Sequence, residues 1–231
     1  MTKSFLGKKI LISTAHPDDE SYAAAGSIYK NHQVGGKNFL ICASFGEKGS
    51  SHLKKPVSEN QLKKIRFREL KKSGKIIHLK KILVLGLPDG RIKKHAAEIY
   101  DQSLLLAQKI KPDAILSFGP DGISGHWDHV TMGRIAKKIA QKLNLPIFTF
   151  ALSPKITSGA SKWLKNRRQA NWYLKKISFQ KPSFKILINS QIKKRAIKSH
   201  ASQMDNQNAF TGFPAFAVNE LLKAEYFIFK Y

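Results

Sequence analysis

Acidic residues are scarce in this chain of 231 residues: 15 Asp and Glu stand against 41 Lys and Arg, a formal net charge of +26. So basic a balance favours acidic partners, whether phosphorylated substrates, nucleic acid or anionic membrane. The alternative is that Lys-rich helix faces reflect compositional drift and solubility. The basic residues spread along the chain (KKSGKIIHLKK, KNRRQ, KKRAIK) without a single block or a nucleic-acid motif, so nucleic acid is not the expected partner. Cysteine is nearly absent. Cys42, inside FLICASF, stands alone, which excludes a disulfide within one chain and fits a reducing cytoplasm. No apolar run approaches the roughly 18 residues of a membrane span. The opening MTKSFLGKKILIS has no signal-peptide apolar region with a small-residue cleavage site, so the expected location is the cytoplasm.

What is present is a core. Hydrophobic residues make up 42% of the chain, enough to bury a folded interior and to exclude disorder. Apolar, β-rich runs alternate with helical patterns. Strands are expected at Lys9–Ser13, Asn38–Phe45, Ile82–Leu85, Asp113–Phe118 and Ile147–Leu152. Helices are expected at Asp18–Gln33, Ser58–Ser73, Ala96–Ile110 and Asp128–Leu143. In the last of these Val130, Ile135, Ile139 and Leu143 line one face while Lys137, Lys138 and Lys142 line the other. This alternation predicts βαβ units: an α/β fold with a Rossmann-like, mostly parallel sheet covered on both faces. Past Ser153 the pattern weakens. Thr157–Ser178 is basic and aromatic (Trp163, Trp172, Tyr173), a strand is expected at Phe184–Ile188, a helix near Gln191–His200 and a last strand at Tyr226–Phe229. With no repeat or linker, one domain over 1–231 is expected, a core over 1–153 with a smaller C-terminal α+β elaboration over 154–231.

The unusual polar residues are not scattered. LIST runs into AHPDDE, FLICASF into GEKGSS, ILVLG into LPDGR, and AILSF into GPDGISGHWDH. In an open parallel sheet ligands bind beyond the carboxyl ends of the strands, so these four loops converge on one edge. The connections at the opposite edge are mostly Lys and Gly. AHPDDE brings an imidazole and adjacent carboxylates; GHWDH brings two more imidazoles around Asp128. Two histidines and a carboxylate about a metal, with a position left for water, form the catalytic-zinc pattern, and a further carboxylate can take the proton of that water. Those residue types suffice for metal-assisted amide or ester hydrolysis. Simpler readings stand beside this one. Pro17 with Asp18, Asp19 and Glu20 is also a good helix start. His126 and His129 can be a capping and a packed histidine. Cys42, in mid-strand, is a core thiol rather than a ligand.

AHPDDE after the first strand and FGPDGISGHWDH after a later one resemble the PIG-L/LmbE-like family of zinc-dependent N-deacetylases. The resemblance continues through GEKGS, R-x-x-E-L at Arg66–Leu70, GLPDG at Gly86–Gly90 and K-x-x-A-I-x-x-H-x-S-Q at Lys193–Gln203, in order over nearly the whole chain. It implies that His16, Asp19 and His129 are the ligands of one Zn2+ per chain, with iron as the other ion suited to a His/Asp site. Asp18 then matches the general base. His126 matches the histidine that steadies the oxyanion and helps protonate the departing amine, with Asp128 orienting it. Arg66 matches a substrate-contacting arginine, and Asp89 approaches the sugar hydroxyls. The implied activity is removal of the acetyl group from a small-molecule N-acetylglucosamine conjugate. Trp127 departs from the family, where proline is frequent; its indole either stacks on a sugar face or packs against the loop. His200, Ser202 and Gln203 repeat a family motif whose role the residues do not reveal: capping, subunit contact in a homo-oligomer and substrate binding all remain open. The flanking chemistry is expected from the Gly46–Val57 loop and the Pro154–Pro182 region, where Lys165–Arg168 can favour a phosphate-bearing aglycone. Two other readings persist: an amidase releasing a larger acyl group, and a basic nucleic-acid or anionic-surface binder on the same scaffold.

Overall fold

The computed structural model describes residues 4–165, 180–206, 208–211 and 213–230. Strand β1 (Lys9–Thr14) is a run of apolar and β-branched side chains, buried at every position after Lys9. That is the signature of a strand covered on both faces. It leads into α1 (Asp19–Gln33), then β2 (Lys37–Ser44). Helix α2 (Glu59–Ile76) starts at a reciprocal cap: Ser58 accepts from the Gln61 amide while the Gln61 side chain accepts from the Ser58 amide. There follow β3 (Leu79–Leu87), a 3-10 turn at Ile92–His95, α3 (Ala96–Ile110), β4 (Ala114–Ser117), α4 (Trp127–Lys142) and β5 (Ile147–Ala151). The C-terminal part consists of α5 (Pro154–Lys165), β6 (Phe184–Leu187), α6 (Ser190–Lys198), a 3-10 turn at Ala201–Gln203, α7 (Ala215–Lys223) and β7 (Ala224–Lys230).

The strands form one seven-stranded sheet in the order β3-β2-β1-β4-β5-β7-β6. β1 to β5 run parallel, whereas β7 is antiparallel to both β5 and β6. The chain winds from β1 outward through β2 and β3, then returns to place β4 on the other side of β1. The β1–β4 boundary is therefore the topological switch point, where the loops leaving two neighbouring strands part and open a crevice. AHPDDE and GPDGISGHWDH are the two loops that leave there.

The expected strands and four core helices are present, with three differences. β3 begins at Leu79, before the expected Ile82, because Lys80 and Lys81 sit exposed on an edge strand, where alternation is weak. Helices α5 and α7 are additions; α5 opens the basic stretch whose patterning is poor, and α7 is too short to display a full apolar period. In the C-terminal elaboration β6 and β7 extend the same sheet. Trp172, Tyr173 and the basic cluster beyond Lys165 lie outside the described residues.

Phenylalanines close the far side of the core: Phe5 packs edge-on against Phe148, Phe184 and Phe227, with centroids 5.0 to 6.4 Å apart. Cys42 is a buried free thiol whose pKa burial pushes up, as expected for an inert core residue. A buried ion pair ties the C-terminal elements to the core. Lys193 Nζ lies 2.8 Å from Glu225 Oε1, both side chains 1% exposed. The Glu225 carboxylate also accepts from the Gly26 and Ser27 amides of α1. Removing one partner of a buried pair strands the other charge, so Lys193→Met is expected to lower unfolding stability by about 3–5 kcal/mol. Urea denaturation against the parent chain checks this.

Candidate active site

The β1 half of the site is built by a folded-back turn. Asp19 Oδ2 accepts from the amides of Ala15 (3.0 Å) and His16 (2.8 Å), which pins the carboxylate and points Oδ1 away from the backbone. Asp18 occupies the N-cap of α1, yet its side chain makes no capping bond. An ordinary N-cap aspartate has extended backbone and accepts an amide of the first turn. Asp18 instead has φ 103° and ψ −27°, a conformation costing an L-residue about 1–3 kcal/mol. Its carbonyl accepts from the Ser21 and Tyr22 amides, and Oδ2 accepts from Arg66 Nη2 at 2.9 Å. The acids thus do open a helix, but the two aspartates diverge. Burial raises the pKa of Asp18 against the opposing pull of Arg66. Burial acts in the same direction on Asp19, but His129 and His16 override it and hold that carboxyl below the usual carboxylate range.

The β4 half arrives from the opposite side of the switch point. His126 caps α4, its Nδ1 accepting from the Asp128 amide at 3.2 Å, which leaves the proton of the neutral ring on Nε2. Burial, then the neighbouring His129 and His16, lower its pKa and keep the ring neutral. His129 stacks on Phe118, centroids 4.1 Å apart and planes within 8°. Its Nδ1 lies 3.0 Å from the Gly122 carbonyl oxygen, which can only accept, so the proton sits on Nδ1 and the Nε2 lone pair faces Asp19 Oδ1 at 3.2 Å. The same reasoning applies to His16. Its Nε2 lies 2.9 Å from Asp89 Oδ1 and 3.3 Å from Asp128 Oδ2, both acceptors, so Nε2 carries a proton, while Nδ1 faces Asp19 Oδ2 at 3.8 Å.

Two imidazole nitrogens therefore turn toward one carboxylate, an arrangement that calls for positive charge between them, either the rings' own protons or a metal cation. Zinc with tetrahedral bonds of 2.0–2.1 Å places its ligand atoms about 3.3 Å apart, close to the spacing of His129 and Asp19. Nitrogens of His16, His126 and His129 also come within 4.8 Å of one another, as do donor atoms of His16, Asp89 and Asp128. The latter set uses His16 Nε2, the atom engaged in hydrogen bonds. Burial works against a charge on His16, but Asp128, Asp89 and Asp19 outweigh it and raise its pKa to about 10, a measure of how strongly this pocket attracts positive charge. The residues fit a divalent ion, and the protonated far nitrogens of both rings are anchored as ligating histidines usually are.

The structure brings together His16, Asp18, Asp19, Arg66, Asp89, His126, Asp128 and His129, but gives three of them partners different from those expected. The Asp128 carboxylate turns to His16 Nε2 and the Gly90 amide, so it orients His16 rather than His126. Asp89 is 8% exposed and divides between His16 and the Lys48 amide, instead of presenting to sugar hydroxyls. His16 holds its pKa down despite burial. Arg66 is 3% exposed and spans the Gly46 carbonyl (2.6 Å), the Pro17 carbonyl and Asp18, so its reach is toward the proposed base and not outward. Trp127, by contrast, is 48% exposed.

Gly46 shows why GEKGS has its first glycine. Its φ is +68°, and a Cβ there would strike the Arg66 guanidinium. Gly46→Ala is expected to cost at least about 1 kcal/mol from the backbone alone, and to reduce turnover because Arg66 must shift from Asp18. A denaturant melt and steady-state rates check the two effects. Residues that motif reading left out complete the surroundings. Glu20 and Glu47 are buried beside the turns, and His200 and Ser202 reach in from the C-terminal segment. Only the repeated H-x-S-Q pattern hinted at the last two.

A doubly wound sheet with a His–Asp centre at its switch point defines a class of α/β protein with a metal-suited site. The chain belongs to the PIG-L family, whose model, described as GlcNAc-PI de-N-acetylase, matches residues 11–140. It is 29% identical over 136 residues to the probable N-acetyl-alpha-D-glucosaminyl L-malate deacetylase 2 of Bacillus anthracis, an alignment covering 58% of this chain and 60% of that one. The chain thus spans about three fifths of that relative's length. Among solved structures, the N,N'-diacetylchitobiose deacetylase of Pyrococcus horikoshii superposes with a TM-score of 0.70 at 19% identity, covering 99% of this chain and 86% of the other. GalB of Pseudomonas putida, a 4-carboxy-2-hydroxymuconate hydratase, superposes with a TM-score of 0.65 at 18% identity, covering 96% and 95%. One fold carries both chemistries, so function has to be argued from the site. Among the described residues no helix is long and apolar enough to cross a membrane.

Proposed function

We propose that the chain is a metal-dependent N-deacetylase acting on a small-molecule N-acetylglucosamine conjugate. The observation that carries this reading is the convergence of His16 Nδ1 and His129 Nε2 on Asp19, with the Asp18 carboxylate alongside and uncommitted to either imidazole. His16, Asp19 and His129 hold the ion. Zinc, or iron, supplies Lewis acidity there, polarising the acetyl carbonyl and bringing the pKa of water to about 7.

The remaining steps belong to the chain. Asp18 Oδ1 accepts a proton as water oxygen bonds to the carbonyl carbon. Arg66 holds Oδ2 and keeps the carboxylate aimed. Neutral His126 donates its Nε2–H to the carbonyl oxygen as negative charge develops there, a form of preorganised stabilisation. Asp18 then delivers its proton to the amide nitrogen, the C–N bond breaks, and acetate and the amine are released. His126 donates as a neutral ring because burial and the neighbouring His129 and His16 disfavour the imidazolium. The exposed Trp127 suits stacking on the sugar, and the +26 charge suits a phosphate-bearing aglycone.

The test is amine and acetate release across a panel of N-acetylglucosamine conjugates, with and without chelator. Amine and acetate in equal amounts, abolished by chelation, support the reading. A larger acid in place of acetate would make the chain an amidase. Tight, salt-sensitive nucleic-acid binding without turnover would make it a binding protein.

A further inference from the structure

The C-terminal K-x-x-A-I-x-x-H-x-S-Q segment is the one sequence motif that the reaction leaves unused. His200 is 1% exposed, and its Nε2 donates to Glu20 Oε1 at 3.1 Å. The same oxygen lies 2.7 Å from Ser21 Oγ and 2.7 Å from Ser73 Oγ, so donors from α1, α2 and the C-terminal segment converge on a carboxylate with no exposure. The other Glu20 oxygen, Oε2, accepts from the backbone amide of Asp18 at 3.1 Å. Two residues further along, the Ser202 amide and hydroxyl donate to the two Glu69 oxygens, each at 2.7 Å. Glu69 sits one turn from Arg66 on α2, and Ser73 one turn beyond it. The motif thereby grips both helices that supply the Asp18–Arg66 pair.

Asp18 is where that grip matters. Its positive φ is the feature that swings its carboxylate apart from Asp19 toward Arg66, and a non-glycine residue stays there only when its surroundings over-determine it. The peptide groups flanking Asp18 are held from both directions. The Pro17 carbonyl accepts from Arg66, the Asp18 carbonyl accepts from the first turn of α1, and the Asp18 amide donates to Glu20. Without Glu20, that amide loses its acceptor and the left-handed conformation loses its support.

We propose that Glu20, buttressed by His200 and Ser73, is a positioning residue that holds the Asp18 backbone in its left-handed turn, and that the C-terminal motif exists to hold Glu20. This rests on Asp18 being the base. A purely structural Glu20 would affect stability alone; a positioning Glu20 acts on kcat through Asp18.

The test is a double-mutant cycle on metal-replete protein, with methyl N-acetylglucosaminide as probe and released amine as readout, joined to crystal structures of the variants. Glu20→Ala is expected to keep one metal ion per chain and its KM while kcat falls about 10²-fold, the scale of a misplacement near 1 Å. Its Asp18 φ is expected to become negative. Glu20→Gln, which still offers an oxygen to the Asp18 amide, is expected to restore most of kcat. In an Asp18→Asn background Glu20→Ala should cost nothing further, since interacting residues are non-additive. An equal loss in that background overturns the proposal, as does loss of the metal, or a Glu20→Ala structure with Asp18 unmoved. Unchanged activity in Asp18→Asn alone would instead remove the base assignment, and the Asp18 φ in Glu20→Ala still decides whether Glu20 holds the turn. If Glu20→Ala does not fold, Ser73→Ala removes one of the converging donors. It should lower kcat in the same direction without lowering metal content, and an unaffected kcat there counts against the proposal.

Discussion

Asp18→Asn is expected to lower kcat/KM by about 10²–10⁴, the usual contribution of a positioned general base, while the protein folds and binds its metal. Asparagine is the informative substitution. It keeps an oxygen acceptor for Arg66 Nη2, which now lies 2.9 Å from Asp18 Oδ2, whereas alanine would leave a guanidinium that is 3% exposed with neither counter-charge nor acceptor there. Unpaired buried charge is costly enough to confuse a catalytic loss with misfolding. Amine release, metal content and thermal melting should be measured on one preparation. A variant that turns over at the parent rate with full metal would show that another group takes the proton.

Removal of the metal is expected to abolish turnover and to lower the melting temperature. An ion bound at 100 times its dissociation constant adds about 2.7 kcal/mol to stability. Its loss also leaves the His16 and His129 nitrogens facing Asp19 with only protons to replace the cation. Re-addition of zinc and of ferrous iron to separate samples should restore both activity and melting temperature, and the ratio of restored rates ranks the two ions. Metal-free protein with full activity would overturn the metal-dependent mechanism. Full activity after re-addition without recovery of the melting temperature would place the ion elsewhere.

Much of the architecture was readable from the chain because its signals are local. The KILIST and FLICASF runs are strands by composition, and polar loops following four of the strands announce a shared edge. AHPDDE and GHWDH together pointed to the histidines and acids that the switch point unites. What escaped depends on partners distant in sequence. Asp128 sits two residues from His126 yet serves His16, 112 positions away, and Glu20 meets His200 across 180 positions. No periodicity encodes such pairs. Arg66 was expected at the substrate from the resemblance; only its Pro17, Gly46 and Asp18 partners show it turned inward. Helix α7 went unseen because nine residues display too little of a helical period.

The sheet's two edges give part of the surplus positive charge a purpose apart from any ligand. An open sheet leaves rows of unpaired amides and carbonyls on its outermost strands, and such rows recruit strands from other molecules. β3 and β6 are the outermost strands here, and each carries exposed lysines: Lys80 and Lys81 on β3, Lys185 on β6. For a second copy to add its own β3 or β6 there, it would have to bring ammonium groups against ammonium groups. Like charge at these positions opposes edge-to-edge pairing, the use that natural sheets make of lysines on their outermost strands.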